Sequence, residues 1–140
     1  MISKEQIAEI RKHLDETENP LFIWDGDTDG LCAFWLMRRY TGKGTYLIAR
    51  DGPEVKERFA NDVKRLNPDR VFILDKPIVS QDFADKVNVP IIWLDHHQPA
   101  AINGVKYFNP RLENLKDEQC TTYWAYKATG EKKEDLWIAL

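Results

Sequence analysis

A chain of 140 residues with 43% hydrophobic side chains has enough apolar material for one packed domain and too little length for two full lobes. A formal net charge of −3 gives no global attraction for a polyanion, so any phosphate recognition has to be local and assisted by bound cations. The longest apolar run, Ile91-Ile92-Trp93-Leu94, is far too short to span a bilayer, which argues against a membrane partner.

Ser3 and Gln6 make a capping-box pattern, and Ile7, Ile10 and Leu14 continue it as a first helix. Asn19-Pro20 ends that helix. Leu21-Phe22-Ile23-Trp24 lacks alternation and reads as a strand buried on both faces. An acidic segment, Asp25 to Gly30, precedes a helix over Leu31–Tyr40 that closes at Thr41-Gly42. Thr45–Ala49 is a second strand. A helix starts at Pro53 or Glu54, carrying Val55, Phe59, Val63 and Leu66 on one face. Val71-Phe72-Ile73-Leu74 is a third strand, ending in Asp75, and a short helix spans Gln81–Lys86. Val89–Leu94 is a fourth strand, ending in Asp95-His96-His97, and Val105–Phe108 is a fifth, at an edge. Glu118–Ala128 is helical, and a last helix begins at Glu134.

This alternation predicts a three-layer α/β/α fold with a doubly wound, mainly parallel sheet of about five strands. Met1–Gln6 shows no export pattern, and Cys32 and Cys120 are far apart, which fits reduced, buried thiols in a cytoplasmic protein.

Ligands of open parallel sheets bind beyond the carboxyl ends of the strands. Asp25-Gly26-Asp27-Thr28-Asp29-Gly30 follows the first strand, Asp75 the third, and Asp95-His96-His97 the fourth. Alternate residues of an extended segment share a face, so Asp25, Asp27 and Asp29 are expected to point into one space. With Asp75 and Asp95 they bring five carboxylates to one crevice, which two divalent ions would neutralise almost completely. Mixed carboxylate and imidazole donors favour manganese or another transition metal. A calcium loop of the EF-hand kind is excluded, because its twelfth position falls on Leu36 and not on a glutamate. His13, alone on the first helix, is expected to be exposed.

At these residues the sequence resembles the DHH phosphoesterase superfamily, whose members include RecJ-like exonucleases, oligoribonucleases and phosphodiesterases. Asp25 to Gly30 looks like the first motif in its RecJ-like form, Asp75 like the second, and Leu94-Asp95-His96-His97 like the third. Asn109-Pro110-Arg111 resembles a segment that often follows. The resemblance implies that Asp25, Asp27, Asp29, Asp75 and His96 hold two Mn2+ ions, with Mg2+ or Co2+ as substitutes, and that Asp75 bridges them. It implies His97 as the catalytic group beside the substrate phosphate, Asp95 orienting the histidines, and Arg111 reaching a phosphate oxygen. Lys76 stands where RecJ-like members often carry Asn, and no role follows for it.

The implied reaction is two-metal hydrolysis of a phosphodiester in single-stranded nucleic acid or a short oligonucleotide. The alternative is a non-catalytic DHH scaffold in a replication or repair assembly. The family's fourth motif supplies another Asp after an apolar helix, and a substrate-binding domain then follows. Leu136-Trp137-Ile138-Ala139-Leu140 resembles the start of that helix, so residues 1–140 are expected to be a single DHH domain, cut short before that motif and that domain.

Overall fold

The computed structural model describes residues 1–139. Ser3 caps α1 (Lys4–Glu16): its hydroxyl accepts from the Gln6 N–H at 3.2 Å, and the Gln6 side chain accepts from the Ser3 N–H at 2.8 Å. The predicted capping box is therefore formed on both sides. β1 (Pro20–Asp25), α2 (Thr28–Thr41), β2 (Thr45–Ala49) and a short β3 (Glu54–Val55) follow. Next come α3 (Phe59–Leu66), β4 (Arg70–Leu74), a short β5 (Ile78–Val79), α4 (Gln81–Lys86), β6 (Ile91–Leu94) and β7 (Lys106–Phe108). A 3-10 turn at Pro110–Leu112 precedes α5 (Thr121–Ala128), and another at Lys133–Asp135 leads into α6 (Leu136–Ala139).

Five strands form one parallel sheet in the order β2-β1-β4-β6-β7. Successive side chains alternate between its faces. Phe22, Trp24, Phe72, Leu74, Ile92 and Leu94 enter a core that α1, α2 and α5 close. Leu21, Ile23, Val71, Ile73, Ile91 and Trp93 enter a second core, under α3 and α4. The central strands are apolar on both faces, which is why they read as unbroken hydrophobic runs. The architecture is the predicted α/β/α, doubly wound parallel sheet. Its strand order reverses between β1 and β4, so connections leave those two strands in opposite directions and open a crevice at their carboxyl ends.

Three local expectations change. Pro53 and Glu54 do not start a helix: Glu54–Val55 pairs in parallel with Ile78–Val79, and α3 begins at Phe59. The helical spacing misled because Val55, Phe59 and Val63 do share one core, Val55 reaching it from a strand. α2 begins at Thr28, not Leu31, because the Asp27 carboxylate accepts from the Gly30 N–H at 2.9 Å and caps the helix early. α5 begins at Thr121, not Glu118.

His13 is half-buried, its Nδ1 lacks a hydrogen-bond partner, and burial lowers its pKa. Cys32 and Cys120 are free, half-buried thiols. Among the described residues no helix is long and apolar enough to cross a membrane. The expected last helix is present as α6 up to Ala139, and Leu140 lies outside the described residues.

Candidate metal centre

The acidic segment does not act as an extended strand with alternating carboxylates. Asp25 is the last residue of β1, Asp27 is the N-cap of α2, and Asp29 lies in the first turn of that helix. The three therefore occupy a strand end, a helix cap and a first helical turn, joined by a sharp change of direction. Gly30 permits it: a Cβ there would lie 2.4 Å from the Asp25 carbonyl oxygen, so only glycine lets α2 press against the end of β1.

On the next strand, Asp75 follows β4 with a φ of 60°, a left-handed conformation that costs a non-glycine residue about 1 kcal/mol. Its N–H donates to the Leu94 carbonyl at 3.0 Å, which anchors the turn to β6. The side chain is 1% exposed. The Thr121 hydroxyl donates to Asp75 Oδ1 at 2.8 Å, while Oδ2 is buried with no partner. Burial, reinforced by the Asp29 charge, pushes the Asp75 carboxyl up to about 9. A buried acid with an orphaned oxygen and acidic neighbours is a site short of positive charge.

His96 Nε2 lies 3.4 Å from Asp75 Oδ1 and 3.5 Å from Asp29 Oδ2. Donor atoms around one divalent ion at ~2.1 Å stand about 3–3.5 Å apart, so these spacings suit a shared cation. Burial lowers the His96 pKa, keeping the imidazole neutral and able to ligate. Asp75, His96 and His97 also offer donor atoms that all lie within 4.8 Å of one another. Burial opposes ionisation of Asp29, yet hydrogen bonds from Thr122 and Thr121 outweigh it and lower its pKa. Asp29 Oδ2 accepts from the Thr121 N–H at 2.9 Å and also lies against His96. The donor set therefore fits a transition-metal ion.

His97 is set differently. Its Nδ1 lies 2.7 Å from Asp95 Oδ1, and its N–H donates to Asp95 Oδ2 at 2.9 Å. Asp95 is fully buried, and burial raises its pKa against the opposing hydrogen bond from His97. The Asp95 carboxylate thus hydrogen-bonds to His97, and its charge also acts on His96. Pairing through Nδ1 leaves His97 Nε2 without a hydrogen-bond partner among the described residues. Arg111 donates its Nε to the Asp117 carbonyl at 3.1 Å, and its positive charge contributes to lowering the His96 pKa.

Three residues that sequence reasoning gave no role complete the surroundings. Asn109 Nδ2 donates to Asp95 Oδ2, to the His97 carbonyl and to the Tyr107 hydroxyl at 3.3, 2.9 and 2.7 Å. Thr121 holds Asp75, as above. Lys76 is completely buried and ion-pairs with Asp25 at 2.9 Å. The only cue in the sequence for Lys76 was its place directly after a metal-type Asp at a strand end.

Comparisons with known proteins bear on the fold and the family. The chain is similar to a solved structure described as exonuclease RecJ bound to manganese, at 18% identity and a TM-score of 0.73, over 97% of this chain and 39% of that one. It is also similar to RecJ in complex with Mn2+ from Thermus thermophilus, at 19% identity and a TM-score of 0.72, over 94% of this chain and 21% of that one. At these identities the likeness is one of fold, and the chain spans well under half the length of either protein. No curated protein sequence matches. The family description "DHH family, N-terminal domain" matches residues 21–139. With nearly the whole sheet and all three acidic and histidine segments inside that match, the chain belongs to the DHH family and represents its N-terminal domain.

Proposed function

We propose that this domain is the hydrolytic half of a manganese-dependent phosphoesterase that cleaves a phosphodiester in single-stranded nucleic acid or a short oligonucleotide. The observation that carries this reading is His96 Nε2 standing 3.5 Å from Asp29 Oδ2 and 3.4 Å from Asp75 Oδ1, beside the unpartnered Asp75 Oδ2. Two divalent ions would be held here, one by Asp29, Asp75 and His96, the other by Asp25 and Asp27 with Asp75 shared. Mn2+ suits the mixed oxygen and nitrogen donors best. Bound in this crevice, such ions polarise the phosphoryl oxygens and acidify water.

The chain's own residues supply the rest. His97, held by Asp95 through Nδ1, presents Nε2 to the phosphate and donates a hydrogen bond when protonated. Asn109 fixes Asp95 and the His97 carbonyl, so the imidazole stays in one orientation. Arg111 stands on the His96 side, where its guanidinium meets a phosphate oxygen of the bound strand. No nucleophilic side chain is needed, and Cys32, half-buried with its pKa raised by burial, serves packing. Free thiols at Cys32 and Cys120 suit the cytoplasm. The fourth acidic motif and the substrate-binding domain belong, in this proposal, to sequence beyond these residues.

The test is cleavage of a labelled short single-stranded oligonucleotide with and without Mn2+. Cleavage that requires the metal and is lost in Asp75→Asn and His96→Ala supports the proposal. Tight Mn2+ binding without turnover on oligonucleotides, cyclic dinucleotides or pyrophosphate, even in a longer form of the protein, favours a scaffold role instead.

A further inference from the structure

Lys76 has no solvent exposure, and a buried ammonium is costly unless acceptors surround it. It has three donors, and all are used: on Asp25 Oδ1 at 2.9 Å, the Ala49 carbonyl at 3.0 Å and the Gly52 carbonyl at 2.7 Å. One side chain following β4 thereby ties down the end of β1, the end of β2 and the loop beyond it. Asp25 Oδ1 accepts from the Gly26 N–H as well, at 3.0 Å, so that oxygen is fully committed. On the other side of the crevice the situation differs. Among the described residues no lysine or arginine pairs with Asp27, Asp29 or Asp75.

The consequence is an uneven pocket. Asp25 and Asp27, with Lys76 counted in, present a net of one negative charge and one uncommitted oxygen each, Asp27 having given its other oxygen to the Gly30 N–H. Asp29 and Asp75 present a carboxylate, a buried carboxyl group whose proton an arriving cation can displace, and an imidazole, with no fixed cation among them. A cation approaching the Asp25 side meets the positive charge of Lys76, which is itself fully buried and therefore less screened than a surface charge.

We propose that Lys76 is a positioning residue that makes the two divalent positions unequal. It holds Asp25 as a structural anion and weakens cation binding beside it, so the first ion loads at Asp29, Asp75 and His96 and the second follows far more weakly. This rests on the metal-centre reading above. Lys76 in effect occupies part of the charge that a second metal would otherwise bring, and the crevice keeps its shape with one ion or none.

The test is calorimetric titration of MnCl2 into the 140-residue chain, with bound Mn2+ counted independently by loss of the free-ion electron paramagnetic resonance signal. Wild type fills in two steps, the first at least tenfold tighter. Lys76→Met tightens the second step at least tenfold and leaves the first within about threefold. Combining Asp25→Asn with Lys76→Met returns the local charge to its original value and restores the gap. If Lys76→Met does not fold, Lys76→Gln removes the charge while keeping donors for the two carbonyls, and the same narrowing is expected. Two equal steps in wild type, an unchanged gap in the variants, or no rescue by the second substitution overturns the inference. No Mn2+ binding at all by wild type overturns the metal-centre reading itself.

Discussion

Asp29 accepts both the backbone N–H of Thr122, at 2.7 Å, and its hydroxyl, at 2.6 Å, across 93 positions of sequence. α5 has no capping side chain of its own, since Cys120 at its N-cap makes no such bond. A carboxylate on one helix therefore caps another, where its negative charge meets the unpaired N–H groups and the positive end of the helix dipole. One residue joins the frame to the site: the Oδ2 atom that accepts from Thr121 also faces His96.

Asp29 accordingly has two separable duties. Asp29→Ala should lower stability by about 1–3 kcal/mol, the range for losing a cap and leaving donors unsatisfied. Asp29→Asn keeps an acceptor for the helix and should cost less than half as much. Both should weaken Mn2+ binding at least tenfold. Chemical denaturation and calorimetry read the two effects separately.

Asp75 dictates how the metal-free protein responds to pH. Its pKa rises from 3.8 to about 9 on folding, so between those values the folded state binds more protons than the unfolded one. The contribution is fully present below pH 3.8 and is lost as pH rises towards 9. Metal-free protein should therefore lose stability between pH 5 and 8, by up to about 1.4 kcal/mol per pH unit. Asp75→Asn, uncharged throughout, should flatten that slope. Denaturation midpoints in chelator at several pH values check it.

The same proton must leave when a cation arrives. Mn2+ binding at pH 7 should release close to one proton, and apparent affinity should rise up to tenfold per pH unit as pH approaches 9. Calorimetry in two buffers of different ionisation enthalpy measures the release. Asp75→Asn should abolish it together with tight binding.

Asn109, only 3% exposed, supports His97 from behind without facing the proposed ions. Asn109→Ala leaves Asp95 and the His97 carbonyl short of a donor, at a cost of about 1–3 kcal/mol in stability. It should lower kcat for Mn2+-dependent cleavage about tenfold or more and leave Mn2+ affinity within about threefold. Steady-state kinetics beside metal titration separates orientation of His97 from ligation.

What the sequence made legible was the sheet and the chemistry at its edge. Val71–Leu74 and Ile91–Leu94 are unbroken apolar runs that stop at an acid, and a strand buried on both faces has no other way to end at a polar site. The contacts among Asp29, Asp75 and His96 followed from that, although Asp25, Asp27 and Asp29 lie on a strand end, a cap and a helical turn and not along a pleat. What stayed hidden was long-range and polar. Thr121 reaches Asp75 across 46 positions and Lys76 reaches Asp25 across 51, and no periodicity records such bonds. Val55 misled for a related reason: strand pairing with Val79, a tertiary contact, overrode a helical spacing that was locally consistent.

The central claim is that Asp29, Asp75 and His96 hold a divalent ion. Crystals grown with MnCl2 and measured at the manganese absorption edge test it most directly. An anomalous peak is expected within about 2.3 Å of Asp75 and His96 Nε2, adjoining Asp29 Oδ2. An Mn2+-saturated crystal with no peak in that crevice, or with its peak at other residues, would contradict it.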